Sequence, residues 1–547
     1  MKKSVKRTLA AFLASVFVFG AGIVAARASG VTLDLKRFIY SPATGAGPNR
    51  TVPVEVEWGP ELFAKPATAA QYDPALLWLT SILANNAYFQ RLTSDPVPKF
   101  FDAGRGDTEA TLVKLGFSAI ECKRAAGANE GGIEHYNYVT FGQQTMNVGG
   151  TAYQLVAVML RGTIDPEEWV SDFYLPAKDY VPGFANAEQA VLAELKAYLA
   201  GHDAALPRKL LITGHSRGAG VANLLGASLN MPANKVAEKE DIYVYTFAAP
   251  NVAKESITGK PEAPGIHTNI WNFINRLDLV PHIPPANWGY GKFGRSVTLP
   301  LNRDVEALFS TYSGLKAELT NAGINADTIA RLLGALSQNY YNEKIFPALK
   351  PVIKDIFQRD LETQYIDLDN LNKKSGAFFE ALFGFEPDFA ALYTDLKANL
   401  LRVVVYQHTS ETYVARAKVM TGPHIERRDN KTKTTLGYSW FLNKEAATYE
   451  FVEAQGAVTW TFPQGRNLID VVNNPDGSVT VTSKKTTGKT TMFFDFLPFA
   501  KPASFTIIAT DVYSNKSELT VNIKMPLVLK LLGIIPVFGW IFILFII

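Results

Sequence analysis

The stretch Gly214-His215-Ser216-Arg217-Gly218 constrains this 547-residue chain more than any other. It follows the apolar run Leu210-Leu211-Ile212-Thr213 and precedes Ala219-Gly220-Val221-Ala222-Asn223-Leu224-Leu225, a segment of helical composition. Glycines two residues to either side of a serine let a strand and a helix approach closely and leave the hydroxyl exposed on the turn between them. The pentapeptide recurs by chance in unrelated chains, and the flanking strand and helix make it informative. The expected local structure is a nucleophile elbow, and the expected fold class is α/β.

A serine hydroxyl is a weak nucleophile near neutral pH, so the chemistry also needs an imidazole, a carboxylate that orients it and backbone donors for an oxyanion. On an α/β sheet with such an elbow these follow in the order Ser, acid, His. Ile242 to Phe247 reads as a buried strand, and Ile270 to Asn275 as another that leads into Arg276-Leu277-Asp278-Leu279-Val280-Pro281. Asp278 falls just past a predicted strand's C-terminal end, the edge where open α/β sheets gather reacting groups, and is the candidate acid.

Four of the seven histidines follow Ser216. His267 precedes Asp278 and breaks the order, and His282 would share the acid's loop. His408 ends the β-branched run Val404-Val405-Tyr406-Gln407 and is the candidate base, with His282 and His424 as alternatives. Tyr153 to Leu160 reads as an earlier strand with Arg161-Gly162-Thr163 as its loop, so the backbone N–H groups of Thr163 and Arg217 are the candidate oxyanion donors.

Leu160 to Thr163, Trp169 and Asp172, Thr213 to Gly218, Thr246 to Pro250, and Asp278 to Pro285, in that order, resemble the class 3 (fungal-type) lipase family. The similarity runs from about Tyr72 to Tyr413, a long intervening segment excepted, and the His408 to Tyr413 segment resembles the family's closing stretch. The resemblance implies an α/β-hydrolase fold, esterase or lipase action on acyl glycerols or related lipids, and no cofactor or metal. It puts Ser216 in the nucleophile's place, Asp278 in the acid's, His408 in the base's, and Thr163 with Arg217 in the oxyanion hole's. Where the family often has Leu-Gly-Gly after the serine, this chain has Arg217-Gly218-Ala219. The guanidinium is expected either to pair with Asp172 or Glu168 or to contact substrate, and Trp169 is expected to be a packing anchor.

A formal net charge of +3, with no basic cluster and no zinc-type Cys/His spacing, argues against nucleic acid as a partner. Lys2, Lys3, Lys6 and Arg7, an uncharged stretch to Ala26, and Ala26-Arg27-Ala28 read as a signal peptide over 1–28, with an uncleaved anchor as the alternative. The expected location is therefore extracellular or at the cell surface. One cysteine, Cys122, permits no intrachain disulfide. Residues 525–547 are long and apolar enough for a membrane tail, which would bring the enzyme to a membrane surface.

Between these ends the sequence divides into an extended segment over 29–71, a catalytic α/β domain over 72–302 and 397–443, a helical cap or lid over 303–396, and an all-β, immunoglobulin-like sandwich over 444–524. The cap rests on helical stripes such as Val305, Leu308, Phe309, Tyr312 and Leu315, and on the phenylalanine-dense stretch Phe378 to Tyr393. In the sandwich, Asn474-Pro475-Asp476-Gly477 before Ser478-Val479-Thr480-Val481-Thr482 marks a turn into a strand. The leading expectation is a serine hydrolase of lipid esters. A phospholipase or polymer esterase with the same triad, and a catalytically silent surface adhesin, are the alternatives; oligomeric state stays open.

Overall fold

The computed structural model describes residues 29–36, 39–40, 51–89, 107–260, 264–275, 277–299, 334–356, 366–367, 407–418, 420, 422–429, 431–437, 445–454, 457–484, 504–511 and 516–524. The expected signal peptide, the apolar tail, and the cap apart from residues 334–356 and 366–367 lie outside them.

A strand buried on both faces reads as a continuous apolar run rather than an alternating one. That is the pattern of Leu210-Leu211-Ile212 in the strand, buried from Lys209 to His215, at the centre of a seven-stranded sheet. The sheet's strands are β3 (Ser118–Ala126), β4 (Tyr136–Val148), β5 (Thr151–Leu160), β6 (Arg208–His215), β7 (Ile242–Phe247), β8 (Ile270–Ile274) and β9 (Arg295–Thr298), in spatial order β9-β8-β7-β6-β5-β4-β3. β3, β4 and β5 form an antiparallel meander, and β5 to β9 run parallel. Register aligns Leu160 of β5 with Gly214 of β6 and Gly214 with Thr246 of β7, so the carboxyl ends of the parallel strands form one edge.

Helices cover the sheet. α1 (Pro74–Asn86), capped by the Asp73 carboxylate on the N–H groups of Ala75 and Leu76, packs with α7 (Ser410–Lys418). The hydroxyl of Thr213 in β6 donates to Thr80 O of α1. α4 (Pro182–Gly201) and α5 (Arg217–Leu229) pack together, and α2 (Asp107–Lys114) and the short α3 (Pro166–Asp172) complete this part. The extended N-terminal segment forms a ribbon outside the sheet, β1 (Ser29–Lys36) antiparallel to β2 (Thr51–Trp58). Its alternation buries Leu33, Leu35, Val54 and Val56.

The described part of the expected cap holds a helical run, Gln338 to Ile345 continuing into α6 (Phe346–Ile356), and a two-residue strand, Ile366–Asp367, that pairs in parallel with Ile39–Tyr40. The helical run lies against α3 and the residues after it: Tyr341 Oη donates to Phe173 O at 2.9 Å and Asn342 Nδ2 to Leu175 O at 2.9 Å.

A second core sits between two four-stranded sheets. One has the order β10 (His424–Arg427), β12 (Ala446–Val452), β15 (Val479–Ser483), β14 (Ile469–Asn473). The other has the order β11 (Thr435–Gly437), β17 (Lys516–Lys524), β16 (Ser504–Thr510), β13 (Thr459–Gln464). This corrects the boundary expected at 444: β10 and β11 already belong to the sandwich, and Ile425 and Leu436 lie in its core. The two strands are short, and the charges of Arg427, Arg428 and Asp429 hide their pattern. The turn at Asn474 forms as expected, with Gly477 at φ +82 and Asn474 N–H bonded to Ser478 O at 2.9 Å. The Tyr72 hydroxyl bonds Glu453 and ties the sandwich to the α/β part.

Candidate active site

β6 passes into α5 within one residue. Ser216 takes φ 58 and ψ −124, a conformation that L-residues rarely adopt, and Ser216 N–H donates to Phe247 O at 2.9 Å. The flanking glycines are required by contact. A Cβ on Gly214 would lie 2.6 Å from the carbonyl of Gly218, and one on Gly218 would lie 2.3 Å from Leu160 O. The turn therefore closes only without side chains at both places, and it lifts Ser216 onto the carboxyl edge of the sheet.

That edge brings the three separated residues together. His408 Nε2 lies 2.7 Å from Ser216 Oγ, and His408 Nδ1 lies 2.8 Å from Asp278 Oδ2. Asp278 is fully buried, and its carboxylate also accepts from the Tyr413 hydroxyl at 2.7 Å and from Val280 N–H at 3.0 Å. Burial and the neighbouring Asp278 push the Tyr413 hydroxyl's pKa well above its ordinary value, so it remains a donor. His408 and Asp278 are pinned to each other through backbone neighbours: the Asn275 side chain donates to Gln407 O at 2.9 Å and to Gln407 Oε1 at 2.7 Å. His408 stands immediately before α7; the β-branched run expected as a strand ahead of it lies outside the described residues.

The alternative histidines are placed elsewhere. His282 ends a short 3-10 turn in the acid's loop, and His424, in β10, bonds Gly422 O and Glu426. His215 packs beside His408 with ring centroids 4.9 Å apart and shares a 2.7 Å hydrogen bond with the Tyr88 hydroxyl. Burial, then repulsion from His408, holds its pKa well below the ordinary histidine value, so it is neutral packing beneath the base.

Thr163 and Arg217 meet at one carboxylate. Thr163 Oγ1 donates to Asp172 Oδ2 at 2.6 Å and Arg217 Nη1 to Asp172 Oδ1 at 2.6 Å. Of the two partners expected for the guanidinium, Asp172 is the one observed. Glu168 is taken by Arg161 at 2.9 Å and by the N–H groups of Ile164 and Asp165. The rest of the Arg217 fork is spent on Ser171 Oγ, Tyr136 O and Gly183 O, so its side chain is fully buried and structural. Ser171 in turn bonds His135 Nδ1 at 2.7 Å, and burial with the nearby Arg217 pushes that imidazole down to about 4.

α3 is thus fastened to the sheet through Glu168, Ser171 and Asp172, which fixes the loop bearing Thr163 and the turn bearing Arg217 relative to each other. Burial pushes the Asp172 carboxyl's pKa up, against the pull of Arg217 and Thr163. Removing one partner of a buried pair leaves an uncompensated charge. Asp172→Ala is expected to cost about 3–5 kcal/mol in urea unfolding; a loss below about 1 kcal/mol would show that the pair contributes only as an exposed one does.

A small cleft of about 40 Å³, open to solvent, adjoins Ser216. Trp169, Phe173, Phe184, Pro250, Val280 and Ile283 line it together with Asp172 and Arg217, so the space beside the hydroxyl is largely apolar. Trp169 packs against the core as expected, and it also faces this pocket. The arrangement can hold a neutral carbonyl compound with an apolar arm beside a serine whose proton has a ready acceptor.

Residues 157–288 match the profile of the family described as Lipase (class 3). A lipase of Rhizomucor miehei is 24% identical over 167 residues, covering 29% of this chain and 45% of that protein. A lipase of Rhizopus niveus is 25% identical over 144 residues, covering 25% and 36%. The chain thus spans less than half the length of these relatives. Among solved structures, lipase II from Rhizopus niveus is 15% identical with a TM-score of 0.28, over 42% of this chain and 82% of that one. The mono- and diacylglycerol lipase from Aspergillus oryzae is 19% identical with a TM-score of 0.27, over 42% and 78%.

Proposed function

We propose, from the premise that this chain belongs through residues 157–288 to the class 3 lipase family, that it is a serine hydrolase of the α/β-hydrolase type cleaving carboxylic esters of lipids. The observation that carries the reading is one imidazole within hydrogen-bond reach of both Ser216 and Asp278, at an apolar pocket.

As Ser216 Oγ attacks the ester carbonyl carbon, His408 Nε2 takes its proton, and Asp278 stabilises the resulting imidazolium through Nδ1–H. The carbonyl oxygen, now an oxyanion, is received by the backbone N–H groups of Arg217 and Thr163, which the Asp172 link holds in register. The imidazolium passes its proton to the alkoxy oxygen, the alcohol departs, and the acyl group remains on Ser216. Water then attacks the acyl carbon, His408 takes its proton, and collapse returns the proton to Ser216 and frees the acid. The apolar pocket suits an acyl arm, which favours lipid esters.

The same reading includes export by residues 1–28, attachment through the tail 525–547, a cap built from 303–396 over the active edge, and the sandwich as an immunoglobulin-like spacer. A fluorophosphonate probe tests the centre of the proposal: it is expected to modify Ser216 covalently in the wild-type protein. A folded protein that takes up no label removes the assignment and leaves the silent-adhesin alternative.

A further inference from the structure

Lys292 occupies a place where an ammonium group is poorly served. Its side chain is buried, and Nζ donates to Pro281 O at 2.6 Å, the one acceptor it meets among the described residues. The backbone that carries it is rigid: Phe293 N–H donates to Asn223 Oδ1 at 3.0 Å, and Phe293 O accepts from the side-chain amides of Asn223 at 2.9 Å and Asn272 at 2.8 Å. Pro281 follows Asp278 in the acid's loop. The far end of that loop is held by Asn251, whose N–H donates to Ile283 O at 2.9 Å and whose side chain donates to Pro284 O at 2.7 Å. Lys292 therefore fastens the middle of a segment whose ends are already fixed.

Resting on the Ser216-His408-Asp278 reading, we propose that Lys292 is a positioning residue for ester cleavage: it holds the acid's loop through the Pro281 carbonyl and, while protonated, offsets part of the field that Asp278 exerts on His408.

The charges around this pair are few. Asp278 is the one that acts on Lys292; burial, the larger influence, pushes the ammonium's pKa down to about 7 while Asp278 pulls it up. On the other side His408 faces Asp278, Asp172 and the neutral His215, with Tyr413 protonated beside the acid. Two further cations stand close to this centre: Arg217 is paired with Asp172 at 2.6 Å, and Arg416 donates to Gln407 Oε1 at 3.1 Å and lowers the Tyr413 hydroxyl's pKa against its burial. A protonated Lys292 beside Asp278 makes an imidazolium at His408 less favourable, and removing that charge makes it more favourable.

The test is the rate of Ser216 modification by a fluorophosphonate in the full-length protein, followed between about pH 5 and 9. Lys292→Met, which removes charge and donor, is expected to move the acid limb upward by about half a pH unit or more, and Lys292→Gln to move it in the same direction. A limb that stays in place or moves down in either folded variant overturns the proposal, as does failure of both variants to fold, which would make Lys292 a folding residue only.

Unfolding supplies a second reading. With the folded pKa lowered from 10.5 to about 7, the unfolded chain binds the extra proton between those values. Wild-type stability should therefore rise with pH across that window, and Lys292→Met should lose that part of the rise. Wild-type protein that takes no label sinks the triad and this inference together. Normal wild-type labelling with an unmoved limb in the variants sinks the Lys292 role alone.

Discussion

Replacing Ser216 with alanine is expected to lower ester hydrolysis by about 10⁴- to 10⁶-fold while the protein unfolds at nearly its original temperature. The activity loss follows from position. Ser216 Oγ is the atom that His408 Nε2 approaches, at 2.7 Å, and the hydroxyl opens on the pocket. Its removal leaves no oxygen to acylate, and only the oxyanion donors and the pocket remain to favour attack by water. The stability change is small for an equally local reason. The hydroxyl's bond to His408 is lost, a contribution of about 1 kcal/mol, while His408 keeps Asp278 and the turn keeps its backbone bond from Ser216 N–H to Phe247 O. Turnover of p-nitrophenyl butyrate, read beside a thermal melt, checks both parts. Activity within tenfold of wild type in the alanine variant would remove Ser216 from the mechanism.

The parts of this molecule that could be read in advance are those where burial leaves a one-dimensional trace. β5 to β8 are buried parallel strands and appear as largely apolar runs. Ser216 and Asp278 follow directly because each sits just past the end of such a run. His408 stands out by its order after Asp278 and by its place at the end of a β-branched run, and its Nε2 lies 2.7 Å from the serine hydroxyl.

What escaped the sequence consists of pairings between distant positions. Nothing local to Asp172 shows that it bridges Thr163 and Arg217, since Glu168 offers the same charge on the same short helix. Tyr413 was visible as part of a resemblance, but its bond to Asp278 depends on α7 packing against the acid's loop. Lys292 reads as a surface residue because lysine usually is one. The helical run from Gln338 to Ile356 had a usable signal, Tyr341, Ile345, Leu349 and Ile353 at four-residue spacing. Pro347 and Pro351 obscure it, and both are accommodated in α6.

Asp278→Asn is expected to reduce kcat by about 10⁴-fold with little change in folding, and the reason lies in which atoms the acid serves. Val280 N–H donates to Oδ1, so an asparagine settles with its carbonyl oxygen there and its amide nitrogen where Oδ2 stood. That nitrogen then faces His408 Nδ1 and the Tyr413 hydroxyl, which lie 2.8 and 2.7 Å from Oδ2 in the wild type. The Tyr413 oxygen already accepts from Asn275 N–H at 3.1 Å and is poorly placed to take a second donor. His408 Nδ1 becomes the acceptor, its proton moves to Nε2, and the ring presents N–H to Ser216 instead of a lone pair. The base is lost by tautomer while every neighbour stays in place. Serine labelling and kcat should therefore fall together, with a melting temperature within a few degrees of wild type. A loss of less than about tenfold would mean that Asp278 does not set the tautomer of His408.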